Sequence, residues 1–133
     1  MKLRIFIILQ FLILLSCSSG WRDEDYRKLI VGKWHLDSIC CADGVKQNLE
    51  VFFPYMEYNT RGELRYWGIE DHQKTYKYWI RNSVIYTSGV GTQTDSIVRL
   101  NKNNMVFRKK ICGKNPNGSD FLQIDTYYCS RIE

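Results

Sequence analysis

Histidine is scarce in this chain, and the motifs that usually mark metal sites and catalytic sites are missing. The two histidines, His35 and His72, are far apart in the sequence, and no Cys-x-x-Cys pair occurs. A tetrahedral metal site therefore has no evident set of ligands. No nucleophile is paired with a recognisable base, and no segment forms a cofactor cradle. The sequence predicts no metal site, no cofactor and no catalytic residue, and an enzyme remains a minor alternative.

Two short segments look like functional motifs but lack the context that such motifs need. Glu70-Asp71-His72 joins acids to a histidine, yet neighbours in one loop point in different directions, so we interpret it as a solvated loop. Residues 88–92 contain Gly89 and Gly91, but no Lys-Ser/Thr follows them, so a phosphate loop is not indicated. The chain also has no basic run with interleaved aromatics, which argues against a nucleic-acid partner.

Proline is rare as well, with two in 133 residues, and strand-like patterns follow one another through short turns. The central pattern is residues 29–39, where one face alternates with the other at the period of a half-buried strand. One face holds Trp34, Leu36 and Ser38, and the other holds His35, Asp37 and Ile39. A large aromatic in the first strand needs a deep interior, so we expect Trp34 to form the floor of a closed sheet.

The remaining patterns predict about eight strands and one short helix. The helix is expected over 22–30, ending at Gly32 and covering the barrel beside Trp34. Pro54 lies inside the second strand, which predicts a bulge or an unpaired edge there. Further strands are predicted over 51–58, 63–68, 74–80, 84–87, 95–100, 105–110 and 121–129, with a flexible loop at 88–92 and a polar loop at 113–120. We predict an all-β, antiparallel up-and-down barrel, with an open sandwich as the main alternative.

The first residues have the composition of a secretory leader. Lys2 and Arg4 precede an apolar run, residues 5–15, that is too short for a comfortable membrane span. The run ends in Leu14-Leu15-Ser16-Cys17, which resembles the lipobox of bacterial lipoproteins. That resemblance implies cleavage before Cys17 and lipidation, including palmitate, of Cys17 itself. An ordinary signal peptide with an incidental cysteine is the alternative.

The same resemblance implies a domain division and a location. Residues 1–16 are the signal peptide, 17–25 a lipidated tether and 26–133 the barrel domain. Ser18 after the cysteine resembles an outer-membrane sorting pattern of Gram-negative bacteria. Asp23-Glu24-Asp25 resembles a surface-export signal, although acids also suit the first turn of a helix. The leader carries two basic residues and no acid, so without it the net charge falls from +5 to +3.

Gly32-Lys33-Trp34, after a short helical segment, resembles the Gly-x-Trp signature of lipocalins. In that fold an arginine beyond the last strand stacks on the tryptophan, and Arg131 stands at the matching place. Residues 58–62 and 100–106 are similar to the small lipocalin-like lipoproteins of Gram-negative bacteria. This resemblance implies a lipocalin-like barrel closed by a Trp34–Arg131 stack. The chain departs from the pattern in its cysteines and in Pro54.

Four cysteines remain if Cys17 carries lipid, and an oxidising compartment would allow them to pair. A bridge between the adjacent Cys40 and Cys41 would be strained. Because the first strand and the seventh end at the same rim, we expect Cys112 to meet Cys40 or Cys41, and Cys129 is harder to place. Such a bridge would stabilise the fold by roughly 4 kcal/mol.

The inward face offers apolar side chains and tyrosine hydroxyls, which suit a small hydrophobic or amphipathic ligand. The same residues could instead fill a solid core. The predicted lining is Trp34, Leu36, Met56, Tyr58, Leu64, Tyr66, Tyr76, Tyr78, Ile97, Met105 and Phe107. The sequence thus predicts a non-catalytic, membrane-anchored binding protein. The alternative is an interaction module with a filled core, in which the outward aromatics Phe53, Trp67 and Trp79 meet another envelope protein.

Overall fold

The computed structural model describes residues 22–41, 46–47, 54–68, 73–89 and 91–132. The predicted leader, Cys17 and most of the predicted tether lie outside these residues. One helix, α1 (Asp23–Ile30), precedes a series of strands. The strands are β1 (Gly32–Cys40), β2 (Lys46–Gln47), β3 (Tyr55–Tyr58), β4 (Glu63–Trp67), β5 (Gln73–Arg81), β6 (Val84–Gly89), β7 (Gly91–Leu100), β8 (Asn104–Lys114) and β9 (Asp120–Ile132).

The strands form one closed antiparallel sheet. From β3 onward each strand pairs with the next, and β9 returns to pair with β1. The short β2 and β3 both pair with the same side of β1, at its end and its start respectively, so together they occupy one position in the wall. The result is an eight-stranded barrel with one short helix, and the predicted fold class is confirmed. Closure leaves no continuous free edge of the kind an open sandwich would expose.

A β-bulge in β1 changes which side chains face the interior. Leu36 pairs with Cys129 and Ser38 pairs with Tyr128, so Asp37 is the extra residue on β1. An extra residue exchanges the two faces of a strand beyond it. Trp34 and Leu36 therefore face inward before the bulge, and Ile39 faces inward after it. The prediction that Ile39 shares the outer face with His35 was wrong for this reason.

Pro54 stands directly before β3 rather than inside a longer described strand. Its ring nitrogen cannot donate to a ladder, which suits the position before a strand begins. Its carbonyl still takes part in the sheet by accepting the N–H of Leu36 at 2.7 Å. Residues 51–53, part of the predicted second strand, lie outside the described residues.

Two predicted loops are shorter than expected, because some of their residues belong to paired strands. β6 and β7 remain in register up to the Gly89–Gly91 pair, and β8 and β9 up to the pair of Lys114 with Asp120. Glycine permits close packing at Gly89, where a Cβ atom would lie 2.6 Å from the Tyr76 ring. Only residues 115–119 form the turn of the second hairpin. The predicted loops were too long because glycine and asparagine were taken as signs of irregular structure.

Helix α1 lies against one end of the barrel, and Asp23 in its first turn holds it there. The Asp23 carboxylate accepts the backbone N–H groups of Asn82 and Ser83, at 2.8 and 3.0 Å, in the β5–β6 turn. The Asp25 carboxylate accepts the N–H of Arg22 at 3.1 Å. Two of the three clustered acids thus have structural partners within the domain, and the surface-export interpretation stays a prediction.

Candidate functional site

The end of the barrel under α1, hereafter the helix end, is sealed by Trp34 and Arg131. The Trp34 indole donates to the carbonyl of Ile30 at 2.8 Å, and both side chains are fully buried. The Arg131 guanidinium lies over the indole, with Cζ 4.3 Å from the ring centroid. The guanidinium also donates to the carbonyls of Val31 and Leu29. These bonds join the last strand to the end of the helix and close the barrel base.

Gly32 is required by this arrangement. Its φ of +140° is a conformation that residues with a side chain rarely adopt. A Cβ atom at this position would also lie 2.0 Å from a terminal nitrogen of Arg131. The glycine of the Gly-Lys-Trp segment therefore leaves room for the guanidinium to reach the tryptophan.

The predicted lining residues come together in the interior, but the extent of their burial differs. Most of them are buried, while four are only partly buried. The buried members are Trp34, Leu36, Met56, Tyr58, Leu64, Met105 and Phe107, and the partly buried members are Tyr66, Tyr76, Tyr78 and Ile97. Tyr127, which was not among the predicted residues, packs against the same core.

Burial keeps the interior tyrosines protonated. Desolvation, reinforced by the nearby Asp125 and Asp95, raises the pKa of Tyr127 to about 12. Desolvation likewise raises the pKa values of Tyr66 and Tyr58 above the ordinary value for tyrosine. Neutral hydroxyls can both donate and accept hydrogen bonds. The interior thus presents ring faces and neutral polar groups together.

Beyond the base formed by Trp34, in the part of the interior hereafter called the far end, β7, β8 and β9 carry a row of three charged side chains close to the interior tyrosines. Asp95 pairs in register with Lys109, and Lys109 pairs with Asp125. Asp95 and Asp125 are 2% and 5% exposed. Side chains directly opposite on neighbouring strands lie close together on one face of a sheet. The interior therefore holds an acid–base–acid row, which we call the charged row.

The charged row is incompletely paired. Lys109 Nζ lies 3.7 Å from Asp95 Oδ1, which is close enough for attraction but too long for a hydrogen bond. The same nitrogen lies 5.4 Å from the centroid of the Tyr127 ring. Asp125 Oδ1 accepts a hydrogen bond of 2.8 Å from Gln123. Desolvation raises the pKa of Asp95, and the positive charge of Lys109 opposes that rise.

Sequence reasoning missed the charged row, although a signal was present. Asp95 is two residues before Ile97, and Lys109 is two residues after Phe107. The alternation that places Ile97 and Phe107 inward therefore also places the two charged residues inward. Asp125 has the same relation to Tyr127. Because charged residues are rarely buried without a partner, these three are absent from the predicted lining.

The described cysteines form no disulfide, so the predicted bridge is absent. Cys40 is in register with Thr126, which is in register with Arg108. Cys112 lies four residues further along β8, roughly 13 Å beyond that level at the usual strand rise. A disulfide needs Cα atoms about 4.4 to 6.8 Å apart. The long β8–β9 hairpin carries Cys112 past the rim where Cys40 ends, and Cys129 is buried inside the barrel.

The other candidate groups lie apart from the charged row. His35 Nδ1 is 2.8 Å from Asp37 on the partly exposed outer side of β1. Glu70, Asp71, His72 and Phe53 lie outside the described residues. Within the ranges described above, no cluster of three or more His, Cys, Asp or Glu side chains could hold a metal ion. No helix in the same ranges has the length and apolar character needed to cross a membrane.

The outward aromatics are held by neighbouring rings. Trp79 is 44% exposed and stacks on Tyr86, with centroids 5.5 Å apart. Trp67 is half-buried and stacks on Tyr55 at the same distance. A second apolar row lies on the outer face of β9 and contains Leu122, Ile124 and Tyr128.

The barrel resembles solved lipocalin structures. Bovine odorant-binding protein in complex with a selenium-containing odorant is 12% identical, with a TM-score of 0.51 over 87% of this chain and 78% of that one. The same bovine protein with its natural ligand is also 12% identical, with a TM-score of 0.50 over 78% and 72%. No protein-family model and no curated protein matches this chain. At this identity the likeness defines the fold, a lipocalin-like barrel.

Proposed function

We propose that this protein is a non-catalytic, lipid-anchored envelope protein whose barrel binds a small hydrophobic or amphipathic molecule. The observation that carries the proposal is the gradient inside the barrel. Trp34, Leu64 and Met105 fill the helix end completely, whereas inward Tyr66, Tyr76 and Tyr127 retain exposed surface further along. A filled base beneath partly exposed rings is an arrangement that can receive a ligand from the far end.

The chemistry of the partly exposed part favours an amphipathic molecule over a purely apolar one. The Tyr66 and Tyr76 rings meet edge to face, 5.9 Å apart, and Tyr127 stacks on Phe107 at 5.0 Å. Such rings provide apolar contact area, and their hydroxyls can bond a polar group. The bovine protein of similar fold was solved in complex with an odorant, which supports the proposal of a small-molecule ligand.

Mass spectrometry of small molecules that co-purify with the protein tests ligand binding directly. We expect an amphipathic compound that is lost from Tyr127→Ala but retained by Trp79→Ala, a matched aromatic change on the outer wall. Equal retention by both variants, or no compound in the wild-type protein, would count against binding in the interior. Thermal unfolding of both variants establishes that they are folded.

The anchor rests on the lipobox resemblance around Cys17. We expect the wild-type protein in the membrane fraction, with slower processing in the presence of globomycin, which inhibits lipoprotein signal peptidase. Cys17→Ala should lose lipid and membrane association, while Cys112→Ala should keep both. A Cys17→Ala protein that remains in the membrane fraction would contradict the proposed anchor.

A protein-interaction module is the second candidate, and the outer face of β9 favours it. Leu122, Ile124 and Tyr128 alternate along β9 on one exposed face, where they could meet an envelope partner. Leu122→Lys should abolish co-purification of such a partner and leave small-molecule retention unchanged. Loss of the small molecule in this variant would instead place the ligand on the outer wall.

A further inference from the structure

The interior contains two buried polar atoms that make no hydrogen bond within the described residues. They are Thr87 Oγ1 and Asp95 Oδ1. Both side chains are more than nine-tenths buried, at 7% and 2% exposed. An unsatisfied buried polar group costs free energy, and native proteins rarely keep one without a reason. Two of them together suggest a polar partner that binds from outside the chain.

The two atoms belong to one part of the wall. Ile85 on β6 is opposite Asp95 on β7, and Thr87 is two residues beyond Ile85 on the same face. Thr87 and Asp95 are therefore diagonal neighbours, a relation that leaves side chains within reach of a common group. Asp95 also begins the charged row, so the unsatisfied oxygens and the buried charges share one side of the interior.

The charged row carries one base between two acids, so acids outnumber bases within it. Lys109 does not satisfy Asp95 Oδ1, because the 3.7 Å separation is too long for a hydrogen bond. A cation that also donates hydrogen bonds would both balance the row and satisfy the two oxygens.

We propose that the barrel selects amphipathic molecules with a protonated amine, which binds Asp95 and Thr87 while the apolar part contacts the interior aromatics. This inference rests on the proposed function, since it assigns a chemical class to the ligand of the same interior. The ammonium group would donate to Asp95 Oδ1 and Thr87 Oγ1. Tyr66, Tyr127 and Ile97 would contact the hydrocarbon part. Desolvation strengthens such a charge-assisted bond relative to one in water.

Three probes of equal chain length separate this inference from general amphiphile binding: octylamine, octanol and octanoate. Binding is measured by equilibrium dialysis against the full chain in zwitterionic lipid nanodiscs, with empty nanodiscs subtracted. We expect octylamine to bind at least about tenfold more tightly than the other two, the scale of one charge-assisted bond. Asp95→Asn should remove that preference while keeping octanol affinity within about twofold.

Two further variants keep the test decisive if Asp95→Asn does not fold. Thr87→Val has the same shape and no charge change, and it should weaken octylamine binding severalfold more than octanol binding. Asp125→Asn, which alters an acid already bonded by Gln123, should have a smaller effect than Asp95→Asn.

The outcomes distinguish failure of the inference from failure of the proposed function. Equal binding of the three probes would overturn amine selection and leave amphiphile binding intact. An amine preference that survives Asp95→Asn and Thr87→Val would place the amine elsewhere and overturn the assignment. Failure of all three probes to bind wild-type protein would contradict the proposed function itself.

Discussion

The two ends of this barrel are built from the same strands, but they differ in how completely their buried polar groups are hydrogen-bonded. At the helix end, the Trp34 indole and the Arg131 guanidinium have partners, and the surrounding side chains are apolar and buried. At the far end, Asp95 and Thr87 are buried with oxygens left unbonded. Full satisfaction fits a structural base at the helix end, and incomplete satisfaction is the reason that we propose binding at the far end.

The sharpest test of the structural base is Trp34→Ala. Removal of a fully buried indole leaves a large cavity and leaves the Ile30 carbonyl unpaired, so the free energy of unfolding should fall by about 3 to 5 kcal/mol. Trp79→Ala, the matched change on the outer wall, should cost less than about 1 kcal/mol. Urea unfolding followed by circular dichroism measures both. Equal losses would mean that the helix end is not the stabilising part of the barrel.

Arg131→Lys probes the stack with its charge retained. Lysine cannot donate to the carbonyls of Leu29 and Val31 at the same time as it covers the indole. We expect a loss of about 2 kcal/mol in the free energy of unfolding. The control, Arg108→Lys on the outer face of β8, should change it by less than about 0.5 kcal/mol. If Arg131→Lys does not change the free energy of unfolding, only the positive charge of the stack contributes to stability.

Asp95→Asn probes the far end through pH. Burial raises the pKa of Asp95, so between about pH 3.8 and that raised value the native state binds more protons than the unfolded state. The contribution of Asp95 to stability should therefore fall as pH rises through this window. Relative to wild type, Asp95→Asn should become progressively more stable in unfolding titrations from acid to neutral pH. Asp120→Asn, whose side chain is 84% exposed, should follow the wild-type profile.

The smallest effect is expected at Asp23, which attaches the helix. Hydrogen bonds from the Ser83 and Asn82 backbone lower the pKa of Asp23, so its contribution is present at neutral pH and lost as pH falls through the lowered value. Asp23→Ala should lower the melting temperature slightly at neutral pH, and the difference should vanish in acid. Glu24→Ala, which removes an exposed pair with Lys28, is the control. A larger effect from Glu24→Ala would contradict the anchoring role of Asp23.

The helix end was largely predictable from sequence, because its residues follow rules that act over short distances. Gly32 and Trp34 mark the start of β1, and alternation along β3 and β4 gives Met56, Tyr58 and Leu64.

Ile39, towards the other end of β1, was placed on the wrong face. The bulge at Asp37 depends on pairing with β9, which the pattern within β1 does not contain. Local patterns do not specify such a register shift.

The far end was less predictable, because its chemistry depends on which strands become neighbours. Asp95, Lys109 and Asp125 are far apart in sequence and form one row only through the pairings of β7, β8 and β9. The length of the β8–β9 hairpin, which separates Cys112 from Cys40, follows from the same pairing. Alternation alone places these charged residues inward, but only the pairing of the three strands shows that they are neighbours with partial partners.

Nuclear magnetic resonance of the full chain in nanodiscs, titrated with octylamine, tests the contrast between the two ends most directly. We expect chemical-shift changes at the amides of Thr87, Asp95 and Tyr127, with the Trp34 indole signal unchanged. Shifts centred on Trp34 or on the outer row of β9, or no saturable shifts at all, would contradict an interior whose helix end is structural and whose far end binds.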